Sequence, residues 1–301
     1  MFLKERTKAS LLLLVGAASY GVLSTFVKLG YKDGFTPGEI TGSQVAFGFI
    51  VLWLLCIPFY RKLKQMSFKA VLKLTGSGVF TGLTGIFYYF SLQNLDASFA
   101  ILLLFQFTWM GMLLEWMLHG KKPGRHQIVA IVIILAGTLM ASGLSGAALE
   151  RLSFSGVGLG ILAAASYTLN MYVSGRVATE VPTLFRSAWM VTGALLVVLL
   201  VYPPQFLWNG SIGSGLWFWA SILGLFGMII PPYLFAKGAP RLDTGMAAIL
   251  GAVELPVVIV ISGLLLGERT GLLQWLGIAL IFAGIVVSER KNAKNAAAKP
   301  V

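Results

Sequence analysis

Along the chain, uncharged apolar runs of about twenty residues alternate with short polar connectors, the run length that crosses a bilayer core as a helix. Ten such runs are legible: 9–30, 37–60, 70–92, 97–118 and 127–143, then 155–177, 183–202, 215–236, 244–266 and 271–288. The start, MFLKERTKASLLLLVGAASYG, has the basic and then leucine-rich character of a secretory leader. Its uncharged stretch runs on from Ala9 to Val27, past the roughly 7–15 apolar residues of a leader, and is read as a retained first span. The connectors leave no room for a soluble domain. Residues 289–301 form a small, basic tail expected to be disordered and cytoplasmic.

The pattern also repeats. AASY at 17–20 recurs at 164–167, and Leu95-Asp96 recurs as Leu242-Asp243, each just before a span. Gly120 recurs as Gly267, and Ala136-Gly137 as Ala283-Gly284. All four pairs are 147 residues apart. That interval holds five spans, an odd number, so the two copies must insert with opposite topology. The fold expected is an all-α integral membrane protein of ten transmembrane helices in two inverted five-helix repeats. The first repeat covers 1–143 and the second 155–288, with an extracytoplasmic connector at 144–154. Inverted repeats are typical of secondary transporters, whose substrate sites lie between the halves near the midplane.

Composition narrows the class. Hydrophobic residues make up 57% of the 301 and charged residues 11%, with a mean hydropathy of +0.84. Soluble domains carry about 25% charged residues, so too little charge is present to cover a water-facing surface. The net charge of +12 does not indicate nucleic-acid binding, because the basic residues sit in short clusters between apolar runs. With ten spans and a cytoplasmic N-terminus, all but Lys28, Lys32, Arg151 and Arg269 of the 23 lysines and arginines fall on the cytoplasmic side. The positive-inside rule therefore places the chain in the cell membrane with both termini in the cytoplasm. The single cysteine, Cys56, permits no intrachain disulfide. The two histidines, His119 and His126, are too few for a multi-histidine metal site. No phosphate-binding loop of the ATPases is present, and no metal or cofactor is expected.

A few polar residues lie inside the spans. Glu254 sits about ten residues into the ninth, and a carboxylate at that depth costs roughly 2.5–3.5 kcal/mol unless it meets a polar cavity or a proton. A substrate or proton site is the favoured reading, a neutral interhelical hydrogen bond the other. Pro256 follows two residues later and frees a backbone carbonyl there. Tyr20, Ser24 and Lys28 share one helical face at i, i+4, i+8, and form either a pathway wall or a stripe ending in a snorkelling lysine. Ser166, Asn170 and Ser174 repeat that spacing in the sixth span beside Tyr167 and Tyr172. Asn170 is read as a substrate contact or an interhelical bond. Gln106 and Trp109 share a face of the fourth span, and the cavity is favoured for Gln106 but not for Gln44. Tyr88 and Tyr89 could stack on a flat substrate or simply pack. Pro231 and Pro232 predict a kink in the eighth span. Glu115 reads as structural, and Asp96 and Asp243 as helix N-caps.

These segments resemble a known family. SYGVLSTFVK at 19–28 is similar to the first-helix pattern of the drug/metabolite transporter (DMT) superfamily, specifically its EamA-type ten-helix exporters. AAILGAVELPVVIVISGLLLGER at 247–269 and QWLGIALIFAGIVV at 274–287 resemble that family's ninth and tenth helices. The resemblance implies a carrier of small organic metabolites, often amino acids or amphipathic compounds, commonly in the export direction. The expectation is therefore a non-enzymatic secondary transporter working by alternating access, with a cavity lined by helices 1, 3, 4, 6, 8 and 9. Glu254 would bind a proton or other coupling ion, and Lys28, Gln106 and Asn170 would form the polar wall. Its partners are then a small-molecule substrate and the lipid bilayer. Two other readings are a membrane enzyme acting on a lipid-linked substrate and a non-transporting accessory protein. The first needs convergent acid and base groups at an interface, and the second needs no polar cavity.

Overall fold

The computed structural model describes residues 2–63, 65–95, 97–142, 153–267 and 270–297, and among these no strand occurs. The described residues form ten helices. In the first half they are α1 (Phe2–Lys32), α2 (Pro37–Cys56), α3 (Phe68–Asn94), α4 in two pieces (Ala97–Leu104 and Phe107–His119) and α5 (Arg125–Ala141). In the second half they are α6 (Phe154–Arg176), α7 (Thr183–Val201), α8 (Ile212–Arg241), α9 in two pieces (Thr244–Gly251 and Glu254–Leu266) and α10 (Leu272–Ala297). Eight are long and apolar enough to cross a membrane, and α5 and the apolar part of α10 are shorter. The last helix runs on to Ala297, past residue 288 where the expected tail begins. Asp96, Arg151, Arg269 and most of the 144–154 connector lie outside the described residues.

The 147-residue offset reappears as geometry. α4 breaks at Phe105-Gln106 and α9 breaks at Ala252-Val253, the same register in the two halves. Both helices then end on a glycine in the left-handed region, Gly120 at φ 65° and Gly267 at φ 67°. A residue with a Cβ is strained there, so glycine stops the helix cleanly. Asp243 caps α9 by accepting the Met246 amide at 2.7 Å. The repeated serine of AASY also has matching work. Ser19 donates to the Phe226 carbonyl of α8 at 2.7 Å, and Ser166 donates to the Phe80 carbonyl of α3 at 3.3 Å.

The halves interlock rather than sit side by side. α1 packs on α8 and α9 of the second half, while α6 packs on α3 and α4 of the first. α2 pairs with α7, and α5 with α10. The α5–α10 contact is close because Gly137 and Gly277 bear no side chain: a Cβ at Gly137 would stand 2.8 Å from the Gly277 carbonyl oxygen. Many large apolar side chains face outward, among them Leu72, Met117, Leu200 and Leu264 at 62–83% exposure. A water-soluble surface rarely tolerates such a belt, whereas acyl chains favour it.

α8 is irregular. Residues Gly224–Ile229 are wound as π-helix, and Pro231 and Pro232 occupy the first turn of the regular helix that follows. Neither proline has an amide hydrogen to return to the preceding turn, so the ladder is interrupted where the sequence predicts a kink.

Candidate functional site

A cavity of about 290 Å³ lies between the two halves. Its base is built where α1, α6 and the α9 break converge. Gly21 of α1 is pressed against the Glu254 carbonyl, which a Cβ would approach to 2.6 Å. That close approach brings the second piece of α9 beside α1. Glu254 is the first residue of that piece, 9% exposed, and its side chain lines the cavity. The Tyr167 hydroxyl donates to Glu254 Oε2 at 3.4 Å. Tyr167 is fixed edge-on by Phe107, with centroids 4.8 Å apart, and by Tyr20 at 6.0 Å. Tyr20 in turn rests edge-on against Phe235. Carboxylate, phenol and aromatic floor thus come from both repeats.

The wall rises from this base toward the Asp33 end of the bundle. Asn170, 4% exposed, accepts from the Thr81 hydroxyl at 2.8 Å, so one of its polar atoms bonds α6 to α3 while the residue faces the cavity. Ser24, Lys28, Tyr88 and Tyr89 line the same space, as does the buried Gln44. Above Lys28 the lining reaches Tyr31 and Thr41, near the start of α2. Glu254 is the acid of the lining and Lys28 its base; among the described residues no other charged side chain contributes. Lys28, Ser24 and Tyr88 also border a smaller cavity of about 170 Å³ beside Leu255, Ile259 and Ser262 of α9.

At the opposite end two polar clusters tie helices together. Glu115 of α4 accepts from Arg176 at 2.8 Å and from the Thr244 amide at 3.3 Å, with His119 and Lys121 each 3.6 Å away. This joins α4, α6 and α9. Arg186 of α7, 2% exposed, donates to the Ser174 carbonyl at 2.6 Å and the Ala236 carbonyl at 2.5 Å, tying α7 to α6 and α8. At the Asp33 end the charged groups are held differently. Glu39 accepts from the Thr36 amide and hydroxyl, from Asn209 and from Ser211, and Trp219 donates to Asp33.

Of the residues expected to form the pathway, Tyr20, Ser24, Lys28, Tyr88, Tyr89, Tyr167, Asn170 and Glu254 meet in the cavity. Gln106 and Trp109 do not line it. Gln106 sits in the α4 break, where its amide donates to the Leu102 carbonyl and its oxygen accepts the Trp109 indole N–H at 2.9 Å. Pro231, Pro232 and Pro256 shape helices that border the cavity without lining it. α2 and α7 contribute wall alongside the expected helices, through Gln44, Thr41 and Val198. Tyr31 had a visible signal, since it continues the Tyr20–Ser24–Lys28 face at the next helical step. Arg186 had one as well: it lies 147 residues after Glu39, so each half places a charge in the first turn of its second helix.

Comparison with known proteins agrees with this duplication. The model of the EamA-like transporter family matches twice, at residues 7–143 and 154–289. An "Uncharacterized transporter" of Archaeoglobus fulgidus is 25% identical over 279 residues, covering 93% of this chain and 95% of its own. The "Uncharacterized transporter YcbK" of Bacillus subtilis (strain 168) is 23% identical over 303 residues, covering 97% and 96%. A crystal structure with 18% identity superposes at a TM-score of 0.76, over 94% of this chain and 96% of that one, and so shares the fold.

Proposed function

We infer, because the chain belongs to the EamA-like transporter family, that it moves a small organic metabolite across the cell membrane by alternating access between its two halves. The observation that carries this reading is the cavity itself, walled by both repeats, with Glu254, Asn170 and Lys28 in its lining. On the positive-inside reading, the end that carries Glu115 and Arg186 is the cytoplasmic one. In such a cycle the polar ties around Glu115 and Arg186 at one end, and those of Glu39 and Asp33 at the other, would release in turn. The helix breaks in α4 and α9 and the π-segment of α8 supply the points at which packed helices can shift.

Glu254 is the group expected to bind a proton or other coupling ion. It is buried with an aromatic floor beneath it and a phenol as its hydrogen-bond partner, so its charge depends on what occupies the cavity. The aromatic walls suit an amino-acid-like or amphipathic substrate, and the family resemblance favours export.

The test is counterflow in proteoliposomes with the full chain, comparing wild type with Glu254→Gln across pH. The variant should transport at least tenfold more slowly and lose the pH dependence. Unchanged transport with an unchanged pH profile would remove Glu254 from the mechanism. Absence of counterflow by wild type for every amino acid and amphipathic amine tried would count against the carrier reading.

A further inference from the structure

The connector from α2 to α3 carries charge of one sign only. From Ile40 to Leu95 the sequence holds no aspartate or glutamate, yet Arg61, Lys62, Lys64, Lys69 and Lys73 all fall within residues 61–73. Lys64 lies outside the described residues. The other four are exposed, and none forms an ion pair among the described residues. Lys62 lies over the Phe59 ring, 6.0 Å from its centroid, which supplies no counter-charge. Other cations at this end of the bundle are met by acids of the protein: Arg176 and Lys121 by Glu115, and Arg241 by Glu5.

The local fold gathers these cations. After α2 the chain passes through a 3₁₀ turn (Ile57–Phe59) and a single helical turn (Tyr60–Leu63). The Gln65 and Met66 amides then return to the Lys62 and Leu63 carbonyls, and Ser67 caps α3 by accepting the Ala70 amide at 3.2 Å. Lys69 and Lys73 stand one turn apart on one face of α3, with Phe68 and Leu72 one turn apart beside them. Ile57, Phe59, Phe68 and Leu72 are 49–79% exposed, so the cations are interleaved with side chains that favour acyl chains over water. Three residues beyond Lys73, Gly76 is exposed, and a Cβ there would meet no atom within 4 Å. No neighbouring helix covers α3 at that point.

The charge and the apolar side chains together select the partner. A nucleic acid or an acidic protein would answer the cations but not the exposed phenylalanines and leucine between them. A bilayer presents acyl chains and anionic headgroups at adjoining depths, and both are matched here. We propose that the α2–α3 connector is a binding site for an anionic phospholipid of the inner leaflet. Arg61, Lys62, Lys69 and Lys73 hold its headgroup phosphate, and an acyl chain lies along Phe68, Leu72 and Gly76. A lipid held there fixes the inner end of α3, the helix that presents Thr81, Tyr88 and Tyr89 to the cavity. The proposal needs the membrane-spanning fold and the positive-inside orientation, but not the carrier reading, so the two stand or fall separately.

Native mass spectrometry of the detergent-solubilised full chain measures lipid binding directly. Dioleoylphosphatidylglycerol and dioleoylphosphatidylcholine share their acyl chains and phosphate and differ in net charge. Wild type should bind the anionic lipid about tenfold or more tightly than the zwitterionic one. Lys69→Gln combined with Lys73→Gln should cut that preference to less than about half, and adding Arg61→Gln and Lys62→Gln should erase it. A matched control, Lys122→Gln with Arg125→Gln, removes two exposed cations from the same end of the bundle and should keep the preference within about twofold. Melting temperatures close to wild type would show the variants folded, and the double variant decides the matter alone should the quadruple fail to fold. Equal binding of the two lipids, a preference that survives the substitutions, or an equal loss in the control would each overturn the proposal. Displacement of the lipid by equimolar sn-glycerol 3-phosphate would assign the cluster to a soluble phosphate and overturn it too, whereas retention of the lipid supports it.

Discussion

Replacing Arg186 with alanine should loosen the end of the bundle where it ties α7 to α6 and α8. The guanidinium is 2% exposed and satisfies carbonyls near the ends of two neighbouring helices, Ser174 of α6 and Ala236 of α8. Alanine leaves both acceptors buried and unpaired, at a cost of about 1 kcal/mol or more each, and removes the stem that fills the space between the helices. An open arrangement, where water reaches the carbonyls, suffers neither loss. The balance therefore moves toward opening by about 2 kcal/mol, roughly 30-fold in population. Arg186→Met should have a somewhat smaller effect, because it leaves the same two acceptors unpaired but its chain still fills the space between the helices. The assay uses Ser174→Cys, whose side chain replaces one that is 3% exposed, in a background where Cys56, the chain's single cysteine, is changed to serine. Methanethiosulfonate labelling of the introduced thiol should accelerate about 30-fold or more with Arg186→Ala and by less with Arg186→Met. An unchanged labelling rate in a folded Arg186→Ala protein would refute the latch.

Other outcomes can be checked with purified protein. Gln106→Leu should leave counterflow within about twofold while lowering the melting temperature, because Gln106 holds the Trp109 indole at the α4 break and the Trp109 donor is then unpaired. Gly137→Leu should destabilise the bundle by about 1–3 kcal/mol, or separate α5 from α10 outright, since even a Cβ meets the Gly277 carbonyl. Asp243→Ala removes the N-cap of α9 and should cost about 0.5–2 kcal/mol, read as a lower melting temperature in detergent.

The ten spans were legible because lipid imposes a strict length on apolar runs, and most of the observed helices begin and end within a few residues of those runs. The repeat was legible for a similar reason: Asp243, Gly120 and Gly267 are positions where a cap or a left-handed turn restricts the choice of residue. The cavity was legible along single helices, where Tyr20, Ser24 and Lys28 share a face, and Glu254 was conspicuous by its cost in a membrane. Gln106 shows where this reasoning stops. A polar residue in mid-span has to be satisfied, and the sequence does not distinguish a solute from the indole three residues away. Arg186 illustrates the converse, since a basic residue near a span boundary looks like a headgroup anchor until the fold delivers two carbonyls to it.

The two helix breaks share a register but not a chemistry. In α9 the second piece opens with Glu254, and in α4 the equivalent position is Phe107, which packs on Tyr167. Duplication has thus produced one ionisable centre rather than a pair, and in the proposed cycle that sets the stoichiometry. A carrier exchanging one elementary charge gains about 2.3 kcal/mol per 100 mV of membrane potential. From the membrane potential alone, that supports a solute concentration ratio on the order of 50-fold for each 100 mV, and the first half places no second acid at its own break to add to it.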